Sequence, residues 1–214
     1  SEEDFERAAA LLKKGTCILE AWIPFEMELA ITVAQDANNV FTSFPVTETI
    51  YREQKLVKTI TPARVGGNIQ KELEHIGKLA AKAMNLTGIL TIETFMTSSG
   101  TLYVNRLVVR PHHSCNYSLD GCSISQYEVL VRCICGLPIP EIQLYDTSVT
   151  FNIMEEKLDE ALILLLTKPD WHFHFYGKKE HRAKRKMGHV TLLGDSPDTL
   201  INELEENGLL ESAE

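Results

Sequence analysis

A few polar side chains fall close enough in the sequence to share charge chemistry: Glu93, Asn105 and Arg106, followed by the run Arg110-Pro111-His112-His113-Ser114. Glu93 lies in GILTIETF and Asn105-Arg106 in LYVNRLVV, two β-type runs separated by the turn Thr97-Ser98-Ser99-Gly100, so together they predict a hairpin. Reflection about the turn pairs positions whose numbers sum to about 198, which sets Glu93 opposite Asn105 between apolar neighbours. A carboxylate facing an amide there fits a solvated hairpin face, and it also fits the polar floor of a cleft. The loop that follows offers a guanidinium, two imidazoles and a hydroxyl, donors able to grip a phosphate, though a loop of this kind can equally be structural.

The elements that must hold these groups are read from periodicity. Residues 5 to 14 predict a helix, and Cys17 to Ile23, Glu28 to Ala34 and Val40 to Val46 predict strands rich in β-branched and aromatic residues. Ile69, Leu73, Ile76, Ala80 and Ala83 recur at spacings of four and three, the buried face of one helix. Ser123 with Gln126, and Ser125 with Glu128, fit a capping box, so a helix starts there and ends before Gly136 and Pro138. Beyond Pro140 come a strand TSVTFNIM, a helix from Leu158 to Leu166, the segment WHFHFYGKKEHRAKRKMGHVTLLG, and a last helix opened by Ser196-Pro197 and closed by Gly208.

Composition narrows the class. A chain of 214 residues, 44% hydrophobic and 24% charged, can bury a sizeable core. Its net charge of -9 disfavours nucleic acid and anionic membrane as partners. No apolar run approaches the roughly 20 residues of a spanning helix, and SEEDFERAAALLKK lacks the apolar core of a signal peptide, so a soluble cytoplasmic protein is expected. The five cysteines, Cys17, Cys115, Cys122, Cys133 and Cys135, are odd in number and form no CxxC pair, which points to reduced structural thiols. His172 and His174 would share one strand face; two ligands without a third favour a packed strand over a metal site. The basic run Lys178, Lys179, Arg182, Lys184, Arg185, Lys186 suits a solvated loop, a bound phosphate or an RNA contact, and the lack of interleaved aromatics argues against RNA.

These segments together resemble 5-(carboxyamino)imidazole ribonucleotide synthase, the ATP-grasp ligase of purine biosynthesis. ILEAWIPFEMELAITVAQ is similar to the family's adenine-side block, TSFPVTETIY to its FPV-x-E-N-I-H, LYVNRLVVRPHHS to its NEIAPRPHNSGH, and YGKKEHRAKRKMGHVT to its YGK...RKMGH signature. The resemblance implies an α+β fold: over residues 1–143 a partial ATP-grasp domain, mostly antiparallel sheet with packed helices, and over 144–214 a small C-terminal α/β domain. It places the start of this sequence at the adenine-side strand, so a preceding nucleotide-fold domain and the lid with its lysine and glycine-rich phosphate loop are expected to be missing. The full-length form is expected to be a homodimer.

The resemblance also implies roles. Glu20, Ala21, Trp22 and Ile23 would line adenine, Glu28 would reach the ribose and Asn105 would complete the ATP site; Glu93 would hold Mg2+. Arg110, His112, His113, Ser114, Lys178 and Arg185 would bind aminoimidazole ribonucleotide, which bicarbonate-derived carbon dioxide carboxylates at the expense of ATP. The sequence departs from the family at Tyr51, at Cys115 and above all at Arg106, which stands where a second magnesium carboxylate is expected. A guanidinium ~4 Å from a dication is repelled by several kcal/mol even at an effective dielectric near 20. A truncated or degenerate carboxylating enzyme and a non-catalytic nucleotide- or protein-binding relative are both compatible with this pattern. In either case ATP binding is expected to be weak and hardly dependent on magnesium.

Overall fold

The β-type runs of the sequence enter a single antiparallel sheet in the computed structural model, which describes residues 2–180 and 185–210. In chain order the elements are α1 (Glu2–Leu12), β1 (Met27–Gln35), β2 (Phe41–Ser43), β3 (Thr47–Arg52), β4 (Lys55–Thr61), α2 (Gly67–Ala83), β5 (Gly88–Met96), β6 (Leu102–Val108), α3 (Gln126–Ile134), β7 (Thr147–Met154), α4 (Leu158–Leu165), β8 (His172–Phe175), β9 (Lys186–Gly194) and α5 (Pro197–Glu206). The strand order is β6-β5-β1-β3-β4-β7-β9-β8, with β2 paired to β1 beyond β3. The pairing of β4 with β7 carries the sheet without a break past the junction expected at 143/144. The expected α+β class, antiparallel sheet with packed helices, is what the chain adopts.

Three apolar clusters fix the helices on the sheet. Leu73, Ile69 and Ala81 of α2 pack on Leu29, Ile31, Leu90 and Ile92 of β1 and β5. Val129 and Cys133 of α3, with Tyr117, cover Ala34 and Ile89 on the other face. Farther along, Ala161 and Leu164 of α4 and Leu200 and Leu204 of α5 close over Val149, Ile153, Val190 and Leu192 of β7 and β9. Buried threonines on the sheet pair with one another, Thr32 with Thr91 at 2.8 Å and Thr150 with Thr191 at 2.9 Å, so these hydroxyls do not go unsatisfied.

Two expected strands are corrected. Cys17 to Ile23 forms no strand: no partner strand reaches it among the described residues, its backbone would gain no ladder, and Leu19 and Trp22 stand almost wholly in solvent. Val40 to Val46 is cut to β2, because Pro45 has no N–H for the ladder and the chain resumes pairing with β1 only at Thr47. Of the two capping boxes, only Ser125 caps α3, accepting from the Glu128 N–H at 3.2 Å; Ser123 instead accepts from the Gln143 N–H at 3.0 Å.

Strands β8 and β9 meet at Gly188, whose missing side chain is a packing requirement. A Cβ there would lie 2.5 Å from the His174 carbonyl oxygen and 3.3 Å from the Phe175 Cα, both backbone. Gly188→Ala is expected to cost roughly 3 kcal/mol, read as a lowered midpoint in urea with an unchanged slope. Wild-type stability in that variant would contradict the close pairing.

Candidate functional site

The hairpin of β5 and β6 reaches the site with a register the turn did not announce. From the turn inward the pairs are Met96 with Leu102, Phe95 with Tyr103 and Thr94 with Val104; then a bulge shifts the ladder, and Glu93 faces Arg106. Asn105 is the extra residue of the bulge, so the expected pairing of Glu93 with Asn105 is corrected by one position. The consequence is chemical, since a guanidinium and not an amide is set across from the carboxylate. Asn105 and Arg106 nevertheless both line the cleft into which Glu93, Glu28 and Glu20 face.

That cleft, of about 840 Å³, is lined by carboxylates, aromatic rings and basic groups together. Phe25 and Phe95 line it next to Glu20 and Glu28, with their rings stacked at 4.5 Å and nearly parallel. Burial first, and then the Glu93 charge, raises the pKa of Glu28. Tyr51 donates its hydroxyl to Glu93 Oε1 at 2.8 Å; burial, followed by the Glu93 charge, holds the phenol protonated. Lys55, Arg106, His112, His113 and Lys186 line the same cleft, with Arg106 and His112 next to Glu93.

His112 is fixed from three directions. Gln126, wholly buried, accepts from the His112 N–H at 2.9 Å and donates to its carbonyl at 2.9 Å, while also donating to Asn116 Oδ1 at 3.3 Å. Ser114 meets the ring at Nδ1, with Oγ at 2.9 Å and its backbone N–H donating from 3.4 Å. With Nδ1 accepting, the ring proton belongs on Nε2, which points toward Glu93 Oε1 at 3.6 Å, too far for a direct hydrogen bond. Burial outweighs the Glu93 charge and lowers the His112 pKa, so the imidazole is neutral.

Lys186 opens β9 and turns its Nζ into the wall of the cleft, where it is buried and finds no hydrogen-bond partner. Burial, and then the nearby Lys178 ammonium, brings its pKa down to about 7. An unpaired buried ammonium in a polar cleft is costly unless an anion is bound to it. The sequence placed Lys186 in the basic run but did not single it out.

The remaining expected residues fall as follows. Ala21 and Trp22 are exposed and Ile23 half-buried, outside the cleft wall. Ser114 stands behind His112. Arg110 donates to the Pro111 carbonyl at 3.0 Å, Lys178 to the Lys186 carbonyl at 2.7 Å, and Arg185 to the Glu180 carbonyl at 3.0 Å, so these three cations surround the cleft without lining it. Arg182 and Lys184 of the basic run lie outside the described residues. Phe25, Phe95, Tyr51, Gln126 and Lys186 were not signalled as site residues by their own motifs; only their mutual placement reveals them.

Magnesium does not fit the donors present. Glu93 already accepts from Tyr51 and is paired in register with Arg106, whose permanent positive charge opposes a dication at that carboxylate, and among the described residues no group of three or more His, Cys, Asp or Glu is arranged to hold a metal ion by protein ligands alone. The same holds at His172 and His174. Both meet Asp120, at 3.7 and 2.9 Å, as a charge cluster in place of a metal centre.

The hydrogen bond to Asp120 raises the His174 pKa. A raised histidine pKa contributes stability that is fully present below the unfolded value, about 6.5, and is lost as pH climbs through the folded value. This pair's contribution to the thermal midpoint is therefore expected to fall from pH 6 to pH 8, so the gap between the parent and Asp120→Asn should narrow over that range. A gap that stays constant would remove the pair from the account.

An ATP-grasp domain model matches residues 1–127, and a model of the phosphoribosylaminoimidazole carboxylase C-terminal domain matches residues 148–203. The N5-carboxyaminoimidazole ribonucleotide synthase of Bacillus subtilis is 40% identical over 205 residues, 95% of this chain and 53% of that protein. That of Staphylococcus aureus is 33% identical over 208 residues, 97% of this chain and 54% of the relative. Among solved structures, the ADP complex of an N5-carboxyaminoimidazole ribonucleotide synthetase superposes with a TM-score of 0.94 at 34% identity, covering 98% of this chain and 55% of its own. The Aspergillus clavatus synthase in complex with ADP and 5-aminoimidazole ribonucleotide superposes with a TM-score of 0.88 at 26% identity, covering 97% of this chain and 57% of its own. The chain thus spans about half the length of the relatives it matches. Among the described residues no helix is long and apolar enough to cross a membrane.

Proposed function

The chain belongs to the ATP-grasp family, among the N5-carboxyaminoimidazole ribonucleotide synthases, and on that premise we propose that its cleft binds the adenosine end of ATP beside aminoimidazole ribonucleotide for carboxylation of the latter with bicarbonate. The observation that carries this reading is one cleft that gathers the stacked Phe25–Phe95 rings, the carboxylates Glu20 and Glu28, and the unpaired Lys186 Nζ. Phe25 and Phe95 offer a flat apolar surface for a base, and Glu20, Glu28 and Asn105 offer acceptors and donors for its sugar and edge. Ala21, Trp22 and Ile23 would join them once their segment gains a neighbouring strand. Lys186 and His113 would take the ribonucleotide phosphate, with Arg110, Lys178 and Arg185 strengthening the local field around them. His112, neutral and fixed by Gln126 and Ser114, would orient the imidazole amine.

In the proposed reaction the terminal phosphoryl of ATP passes to bicarbonate, the carboxyphosphate releases carbon dioxide with phosphate, and the ribonucleotide amine captures the carbon dioxide. The chain's own contribution is positioning and charge compensation. Supplying the chain with the N-terminal half of the Bacillus subtilis relative should give ADP formation that requires both bicarbonate and aminoimidazole ribonucleotide. ADP formation indifferent to the ribonucleotide, or none although the two halves associate, would overturn the reading.

A further inference from the structure

We propose that Arg106 takes the place of a divalent cation in this chain, so that the cleft binds the phosphates of a nucleoside diphosphate or triphosphate directly, without metal. The inference rests on the nucleotide reading above and deepens it. Its basis is the bulge: one residue of extra chain moves Arg106, in place of Asn105, across from Glu93 and turns it into the cleft wall. Were Asn105 opposite Glu93, the pair would be a carboxylate and an amide, both able to ligate a cation. As built, the carboxylate faces a permanent guanidinium charge.

The other contacts of Glu93 point the same way. Its Oε1 accepts the Tyr51 hydroxyl at 2.8 Å and lies 3.6 Å from His112 Nε2, so one of its two oxygens is already engaged. Glu20 and Glu28 are the other carboxylates lining the cleft, and magnesium, which takes one or two carboxylates beside a substrate's phosphates, would have to sit at Glu93 against the Arg106 charge. A planar guanidinium at that spot matches a phosphate with two parallel N–H donors, which a hydrated dication would otherwise neutralise through water and carboxylate. Arg106 is also exposed on β6, which among the described residues ends the sheet, so its head has room to reach an incoming anion.

Calorimetric titration of the whole chain with ADP, with adenosine as a second probe, tests this. In EDTA and in magnesium the ADP affinity is expected to agree within about twofold, whereas a metal-dependent site would gain tenfold or more with magnesium. Arg106→Met should weaken ADP about tenfold in EDTA and leave adenosine unchanged, and Arg106→Lys should recover part of the loss. Arg106→Glu should convert the site, with ADP binding restored only by magnesium. Because the residue is an exposed strand position, thermal midpoints of the methionine and lysine variants are expected to stay near that of the parent, which separates lost binding from lost fold. An ADP affinity that rises tenfold or more with magnesium in the unaltered chain, or ADP binding untouched by Arg106→Met, overturns the proposal while adenosine binding keeps the nucleotide reading. If adenosine and ADP both fail to bind under all conditions, the nucleotide reading itself falls and this inference with it.

Discussion

Lys186→Met is expected to weaken binding of aminoimidazole ribonucleotide by about 10- to 100-fold, the equivalent of one or two charge-assisted hydrogen bonds to a phosphate. Lys186 Nζ is buried in the cleft wall without a hydrogen-bond partner, so an anion gains an ammonium already stripped of water. The pH dependence has a defined sign. With a folded pKa of about 7, against 10.5 for the ordinary side chain, the free site loses its charge as pH rises through 7, and affinity for the ribonucleotide should fall between pH 7 and 9. For folding the sign is the opposite: between about 7 and 10.5 the unfolded chain holds the proton that the folded chain lacks, so this group's contribution makes the unliganded fold more stable as pH rises. Lys186→Met should abolish both trends. Titration of the ribonucleotide at several pH values reads the first, and a flat profile in the unaltered chain would remove Lys186 from the binding site.

Gln126→Leu is expected to be the most damaging change outside the cleft wall. The side chain bonds both backbone groups of His112 and reaches Asn116, which in turn contacts Tyr176 and His189 on the C-terminal strands at 3.4 Å. Leucine would leave the buried N–H of His112 unpaired, at roughly 1–3 kcal/mol, and would take one of two donors from its carbonyl, which still accepts from the Cys115 N–H at 3.1 Å. The expected result is a lower denaturation midpoint together with a weaker grip on the ribonucleotide, while adenosine binding, at the Phe25 and Phe95 rings, stays as it was. Equal loss of both ligands would mean that Gln126 supports the fold as a whole and not the His112 loop.

Helices and long strands were legible because burial imposes a period: Ile69, Leu73 and Ala81 do form the inner face of α2, and GILTIETF does form β5. The β3–β4 hairpin was harder to see, since its turn uses Glu53 and Gln54 at positive φ where glycine or asparagine would be the signal. The segment from Cys17 to Ile23 carried a strand's composition, but a strand also needs a neighbour, and pairing is not written in one segment. At the site, the order of motifs identified the hairpin and the His112 loop, whereas a bulge of one residue decided that Arg106 faces Glu93. Nor does any local pattern distinguish Lys186 from its basic neighbours. What sets it apart is burial, a property of the packed β9 and not of the run of charges. The reading of the chain as a non-catalytic relative gains no support from the relatives described above, which are named as synthases or synthetases.

The central claim is that one cleft receives the nucleotide and the ribonucleotide side by side. Amide and imidazole NMR shifts of the labelled chain, followed during titration first with aminoimidazole ribonucleotide and then with ADP, test it most directly. The account predicts that the ribonucleotide moves His112, His113, Ser114 and Lys186, and that ADP then moves Phe25, Glu28, Phe95 and Arg106 while the ribonucleotide stays bound. Shifts gathered instead at a separate cavity lined by Thr167, Lys168, Trp171 and Glu203, or displacement of one ligand by the other, would contradict it.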